Sequence, residues 1–149
     1  MRILFKGEAG KASAIVMKRV QEEVENVNGK AISRGVHAVN ALRNAELRVL
    51  KGKRSGKRYK KPHSNVYYTA SAPGEPPAKR IGDLRLHWNG NVKMEHTLKG
   101  SIITVELKSQ EPYANILEKG LGMAPRPFVK KIKDEAIPMI RKIYSKPYK

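Results

Sequence analysis

The order of patterns along this sequence predicts an α+β fold. Apolar residues recur at helical spacing near both ends, two segments between them alternate, and a basic, proline-containing stretch separates the first helical region from the rest. At 149 residues the chain reads most simply as one domain. Within it, residues 1–50 are helical and 51–80 form a flexible basic and Pro-rich arm. Residues 81–111 are a β segment, and 112–149 are a helical hinge and C-terminal helix. The 40% hydrophobic content supports a core and excludes disorder throughout.

The first region is built on Val16, Val20, Val24, Val27 and Ala31, which step by four, four, three and four and share one helix face. Ala38, Leu42, Ala45 and Val49 continue a similar stripe. Both are expected to be core. Gly29 and Gly35 interrupt the pattern, each at a cost of about 1 kcal/mol relative to alanine. Either one long, weakened helix or two helices bent near "NGK" results.

From Lys51 to Arg80 no period is sustained, and the stretch holds four prolines and three glycines. "NVYYTAS" is a candidate short strand. In "APGEPPAKR", Pro76-Pro77 favour polyproline II and Pro73-Gly74 a turn, which reads as a projecting arm. "GDLRLHW" suits a short strand or a short helix. "NVKMEHTL" and "SIITVELK" are strands joined around Lys99-Gly100. The second has a wholly apolar face, Ile103, Val105 and Leu107, expected to be buried. Pro112 suits a helical first turn, Gly120 a C-terminal stop and Pro127 another first turn. Phe128, Ile132, Ala136, Ile140 and Ile143 form the last stripe, and Pro138 inside it should kink or restart the helix.

The 31 Lys and Arg against 13 Asp and Glu give a net charge of +18, unevenly distributed. Residues 51–61, "KGKRSGKRYKK", carry seven basic side chains (Lys51, Lys53, Arg54, Lys57, Arg58, Lys60 and Lys61) and no acidic one. Three readings fit this run: a solvated loop, a binder of nucleic-acid backbone phosphates with Tyr59 as a stacking surface, or a dock for an acidic protein face.

Little in the sequence points to catalysis. There is no cysteine, so disulfides and thiolate chemistry are excluded and an intracellular setting fits. His37, His63, His87 and His96 lack metal-ligand spacing. "GKRSGKR" has one residue too few for a phosphate loop and places Arg58 where Ser or Thr should stand. Glu22, Glu23 and Glu25 cluster without the second acidic group that a two-metal nuclease needs. No cofactor, metal or catalytic residue is assigned. "MRILFKGEAGK" lacks a secretory h-region, and no apolar run approaches the ~18 residues of a membrane span, so a soluble protein without a membrane partner is expected.

"APGEPPAKRIGDLRLHW" (72–88), a β segment, and then "PYANILEKGLGMAPRPFV" (112–129) together resemble the neck or tail-completion proteins of long-tailed double-stranded-DNA bacteriophages, also called head–tail joining or minor tail proteins. The family pattern runs Pro-Gly-Glu-Pro-Pro, Thr-Gly-x-Leu-Arg, Tyr-Ala with Glu-x-Gly, and Pro-x-Arg-Pro-Phe. Pro73, Gly74, Glu75, Pro76 and Pro77 match the first element, and Gly82, Leu84 and Arg85 the second, with Ile81 where threonine is common. Tyr113, Ala114, Glu118, Gly120, Arg126, Pro127 and Phe128 match the rest. The matched segments cover roughly the second half of the chain.

The resemblance implies an α+β protomer with a long N-terminal helix, a small antiparallel sheet carrying an extended basic loop or arm, and a C-terminal helix. It implies a virion structural protein, made in the host cytoplasm, forming a homo-oligomeric ring, six-fold like the tail. Its neighbours would be the head connector and the tail-terminator or tail-tube proteins, with DNA passing through the channel. No enzymatic activity is implied. In this picture Tyr113 and Phe128 are buried on either side of the Gly120–Phe128 hinge, and Arg126 pairs with Glu118 or with a neighbouring subunit. The alternatives are a stand-alone basic nucleic-acid-binding protein, using residues 51–61 and the basic tail, and an enzyme such as a nuclease.

Overall fold

Helical periodicity through the first region produces one continuous helix, α1 (Lys6–Lys51), in the computed structural model, which describes residues 6–79 and 82–148 and side chains from residue 13 onward. The N-terminal "MRILF" and Ile81 of the family pattern lie outside the described residues. Neither Gly29 nor Gly35 divides the helix, so the unbroken alternative holds.

The cationic run contains a strand, β1 (Arg58–Lys60), paired antiparallel with β2 (Tyr67–Thr69), where Tyr59 faces Tyr68. "GDLRLHW" resolves into both candidates: α2 (Asp83–Leu86) and then the start of β3 (Trp88–Thr97). β3 turns at Leu98-Lys99 into β4 (Gly100–Ser109), an antiparallel ten-residue pair with Val92 opposite Val105. The chain thus has two separate two-stranded sheets. The hinge helix α3 (Ala114–Lys119) and the last helix α4 (Val129–Ser145) complete an α+β fold. The two proline positions differ from expectation: Pro112 lies in the turn before α3, and Pro127 two residues before α4. Pro138 does not restart α4, which continues to Ser145.

The C-terminal half of α1 is the spine of the core. Ala45 and Leu50 from α1, Leu84 from α2 and Phe128, Ile132 and Ala136 from the α4 side are buried together, with Leu42, Val49 and Ile140 packed against them. Alanine at 38 and 45 lets elements approach closely, and Arg48 Nε donates to Glu135 of α4 at 2.8 Å. Trp88 stacks edge-on to Phe128 with ring centroids 6.1 Å apart, and its indole N–H donates to Leu84 O. The β3–β4 hairpin covers another side of α1. There Gly35 has a packing role: a Cβ added to it would stand 2.6 Å from Val92 Cγ1. Ile103, Val105 and Leu107 face inward as expected but are only half-buried.

The first stripe is not core. Val16, Val20 and Val24 are 58%, 55% and 51% exposed, Val27 is also exposed, and Ala31 is half-buried. The reason is length. The 46 residues of α1 span about 69 Å, whereas the 17 residues of α4 span about 25 Å and cover only the C-terminal part. Burial on α1 begins at Gly35.

Candidate assembly interface

The hinge between α3 and α4 is a set of backbone locks. Gly120 ends α3 in the left-handed region (φ 71°), and its N–H donates to Ile116 O. A Cβ there would meet Met123 O and Pro125 N at 2.6 Å, so both conformation and space require glycine. Arg126 N–H donates to Leu117 O at 2.8 Å, folding the loop back along α3. The Glu118 carboxylate accepts from Phe128 N–H at 2.7 Å and Val129 N–H at 3.2 Å. Phe128 itself gives α4 no side-chain cap, so Glu118 supplies one from the preceding helix.

Two expectations are corrected here. Arg126 does not pair with Glu118, whose oxygen is occupied by the α4 N-terminus. Arg126 Nη1 is instead buried without a hydrogen-bond partner among the described residues. Phe128 is 2% exposed as expected, but Tyr113 is 38% exposed, because its ring lines an open pocket rather than the core. Partial burial, with the Glu111 and Asp83 carboxylates adding to it, pushes the Tyr113 hydroxyl pKa up.

The proline-rich stretch is docked on the body, not projecting from it. Pro76 and Pro77 are buried. Gly74 N–H donates to Pro125 O, and Lys131 Nζ to Gly74 O, which joins this stretch to the hinge and to α4. Glu75 closes the base of the 51–79 excursion. Its carboxylate accepts from Ser55 Oγ at 2.6 Å, Ser55 N at 3.0 Å and Ala72 N at 2.9 Å. These bonds, the Ser55 hydroxyl foremost, hold its pKa down to about 2. Pro73 and Gly74 form the exposed turn before it, Gly74 with positive φ.

Arg54 is engaged in the same closure. Its guanidinium donates to the carbonyls of Val49, Gly52, Lys53 and Pro77, so this member of the cationic run is structural. Lys51, Lys53, Lys57, Arg58 and Lys60 are exposed and Lys61 is half-buried. Arg58 lies 5.0 Å over the Tyr67 ring, giving the β1–β2 ribbon a mixed cationic and aromatic surface. The histidines are dispersed: His87 Nδ1 contacts Glu111, and His96 Nδ1 lies 2.9 Å from Ser101 Oγ.

The excursion, α2 and the hinge enclose a pocket of about 470 Å³. Leu50, Leu84, Leu117 and Met123 give it an apolar wall, and Arg85 and Arg126 bring two positive charges. Sequence motifs placed Gly82, Leu84, Arg85, Tyr113 and Arg126 in separate elements; the fold gathers all five around this pocket. What sequence reading missed is that the first apolar stripe is a surface. A hydrophobic face looks the same whether its partner is in the same chain or another.

The chain matches no protein-family model, and no curated protein or solved structure shows a match to it. Among the described residues, no helix is long and apolar enough to cross a membrane.

Proposed function

We propose that this chain is a structural protein of the virion neck of a long-tailed double-stranded-DNA bacteriophage, a tail-completion or head–tail joining protein. It assembles as a homo-oligomeric ring, six-fold like the tail, between the head connector and the tail-terminator or tail-tube proteins. Its work is shape and contact, without enzymatic turnover. The observation that carries this reading is the uncovered half of α1. A helix of this length is marginal in water without an apolar face packed on something, and the chain's own elements leave residues 13–34 bare on most sides. Support also comes from the motif residues: Glu118, Gly120, Arg126, Pro127 and Phe128 fix the angle between α3 and α4, as a protomer with defined edges requires.

The test is imaging of assembled virions and of particles made without this chain. Density for α1 in a ring between head and tail is expected, and particles lacking the chain should carry no attached tails. Infectious, tailed particles formed in its absence would end the reading.

A second reading, a stand-alone nucleic-acid-binding protein, draws on the exposed cations and the Arg58–Tyr67 stack of the β1–β2 ribbon. Duplex-DNA titration across salt separates the two. Tight binding by the isolated chain that weakens steeply with salt favours the second.

A further inference from the structure

The pocket between α2 and the hinge is electrostatically incomplete. Arg85 Nε and Arg126 Nη1 are each shut off from water with no hydrogen-bond acceptor among the described residues. A guanidinium stays charged at any physiological pH, and a buried donor left unmade costs about 1–3 kcal/mol. Nearby carboxylates are engaged elsewhere: Glu118 caps α4, Glu111 contacts His87, and Glu46 pairs with Arg43. Asp83 lines the pocket but forms no ion pair or hydrogen bond with either arginine among the described residues. The missing group is therefore a carboxylate flanked by aliphatic groups that suit the leucine and methionine wall.

The same chain displays that combination on the bare half of α1. Glu22, Glu23 and Glu25 put three of the thirteen acidic residues within four positions. Glu22 is near Lys18 and Glu25 accepts from Gln21. Glu23 has no ion pair or hydrogen bond among the described residues. It stands three residues after Val20 and four before Val27, at the edge of the exposed valine stripe. Val20, Val24 and Val27 supply the aliphatic groups.

We propose that the Glu23, Val24 and Val27 side chains of one copy dock into the Arg85–Arg126 pocket of the next. The two surfaces differ, so the contact is heterologous and, repeated with the right rotation, closes a ring. It rests on the ring reading and names the contact that would build it. The paired charges orient the encounter, and valine burial supplies the attraction.

Because the chain has no cysteine, single-cysteine variants give a clean test. Val24→Cys and Met123→Cys chains are mixed and oxidised mildly, while native mass spectrometry follows the unmodified chain. A disulfide joining position 24 of one chain to position 123 of another is the expected product. Rings of the unmodified chain, with variants linked only through two copies of position 24 or not linked at all, overturn this docking and leave the ring standing; no ring at all overturns both. A charge exchange gives a second readout. Glu23→Arg, on an exposed helix face, should weaken association on the order of thirtyfold, and combining it with Arg126→Glu should restore association. Unchanged association of the Glu23 variant overturns the docking without any question of misfolding.

Discussion

Glu118 accepts the backbone N–H of Phe128 at 2.7 Å, ten residues further along the chain, and so ties the end of one helix to the beginning of the next. Phe128 is the largest fully buried apolar side chain. One carboxylate thus caps α4 and seats the ring that anchors it. Glu118→Ala should lower stability by about 2 kcal/mol, the scale of a charged hydrogen bond at a helix start. Urea unfolding monitored by Trp88 fluorescence measures this, since Trp88 packs edge-on against Phe128.

Gly29 and Gly35 look alike in the sequence and should respond oppositely to alanine. A Cβ at Gly29 meets nothing within 4 Å, so Gly29→Ala should stabilise α1 by about 1 kcal/mol. At Gly35 the same Cβ runs into Val92 and Ile103 side chains, and Gly35→Ala should destabilise. Thermal melts of the two variants under one buffer give both signs directly.

Glu46 provides a pH dependence. It is 0% exposed, its Oε2 is bound by Arg43, and its Oε1 has no partner among the described residues. Burial pushes its pKa up from 4.5 to about 7, against the opposing pull of Arg43 and Arg85. With the folded value above the unfolded one, the stabilisation is full below about pH 4.5 and is lost as pH rises through about 7. Glu46→Gln should therefore be more stable than the parent near pH 8, by up to about 3 kcal/mol, and nearly equal to it near pH 4. Denaturant titrations at those two pH values check the sign.

Glu75 behaves in the opposite sense. Its pKa is held down to about 2 by Ser55 and Ala72, so its contribution is present above the ordinary carboxylate value and is lost as pH falls towards about 2. Glu75→Ala should open the base of the 51–79 excursion. Hydrogen exchange of the Ser55 and Ala72 amides should quicken in this variant at neutral pH, and in the parent chain on acidification.

Much of the architecture was legible because local rules and tertiary packing agree there. The alternation of "SIITVELK", the glycine stop at Gly120 and the stripe from Phe128 through Ile132 and Ala136 each specify one structure whatever surrounds them. Three features were hidden for physical reasons. Arg54 reads as one more cation in a run until the fold places four carbonyls around it. Glu75 and Pro76-Pro77 read as an arm because partners twenty residues away leave no local trace. The stripe from Val16 to Val27 has the periodicity of a core helix, and periodicity records only that something apolar must cover it. Of the pocket, the sequence showed the residues but not their convergence.

The uncovered stripe can be tested most directly by replacing Val20 and Val24 with Glu and measuring melting temperature and oligomeric mass on the same samples. If the stripe is an interface between copies, the protomer's melting temperature stays within a few degrees of the parent while the assembled species disappears. A large fall in the protomer's melting temperature, or a ring that persists through both substitutions, would contradict it.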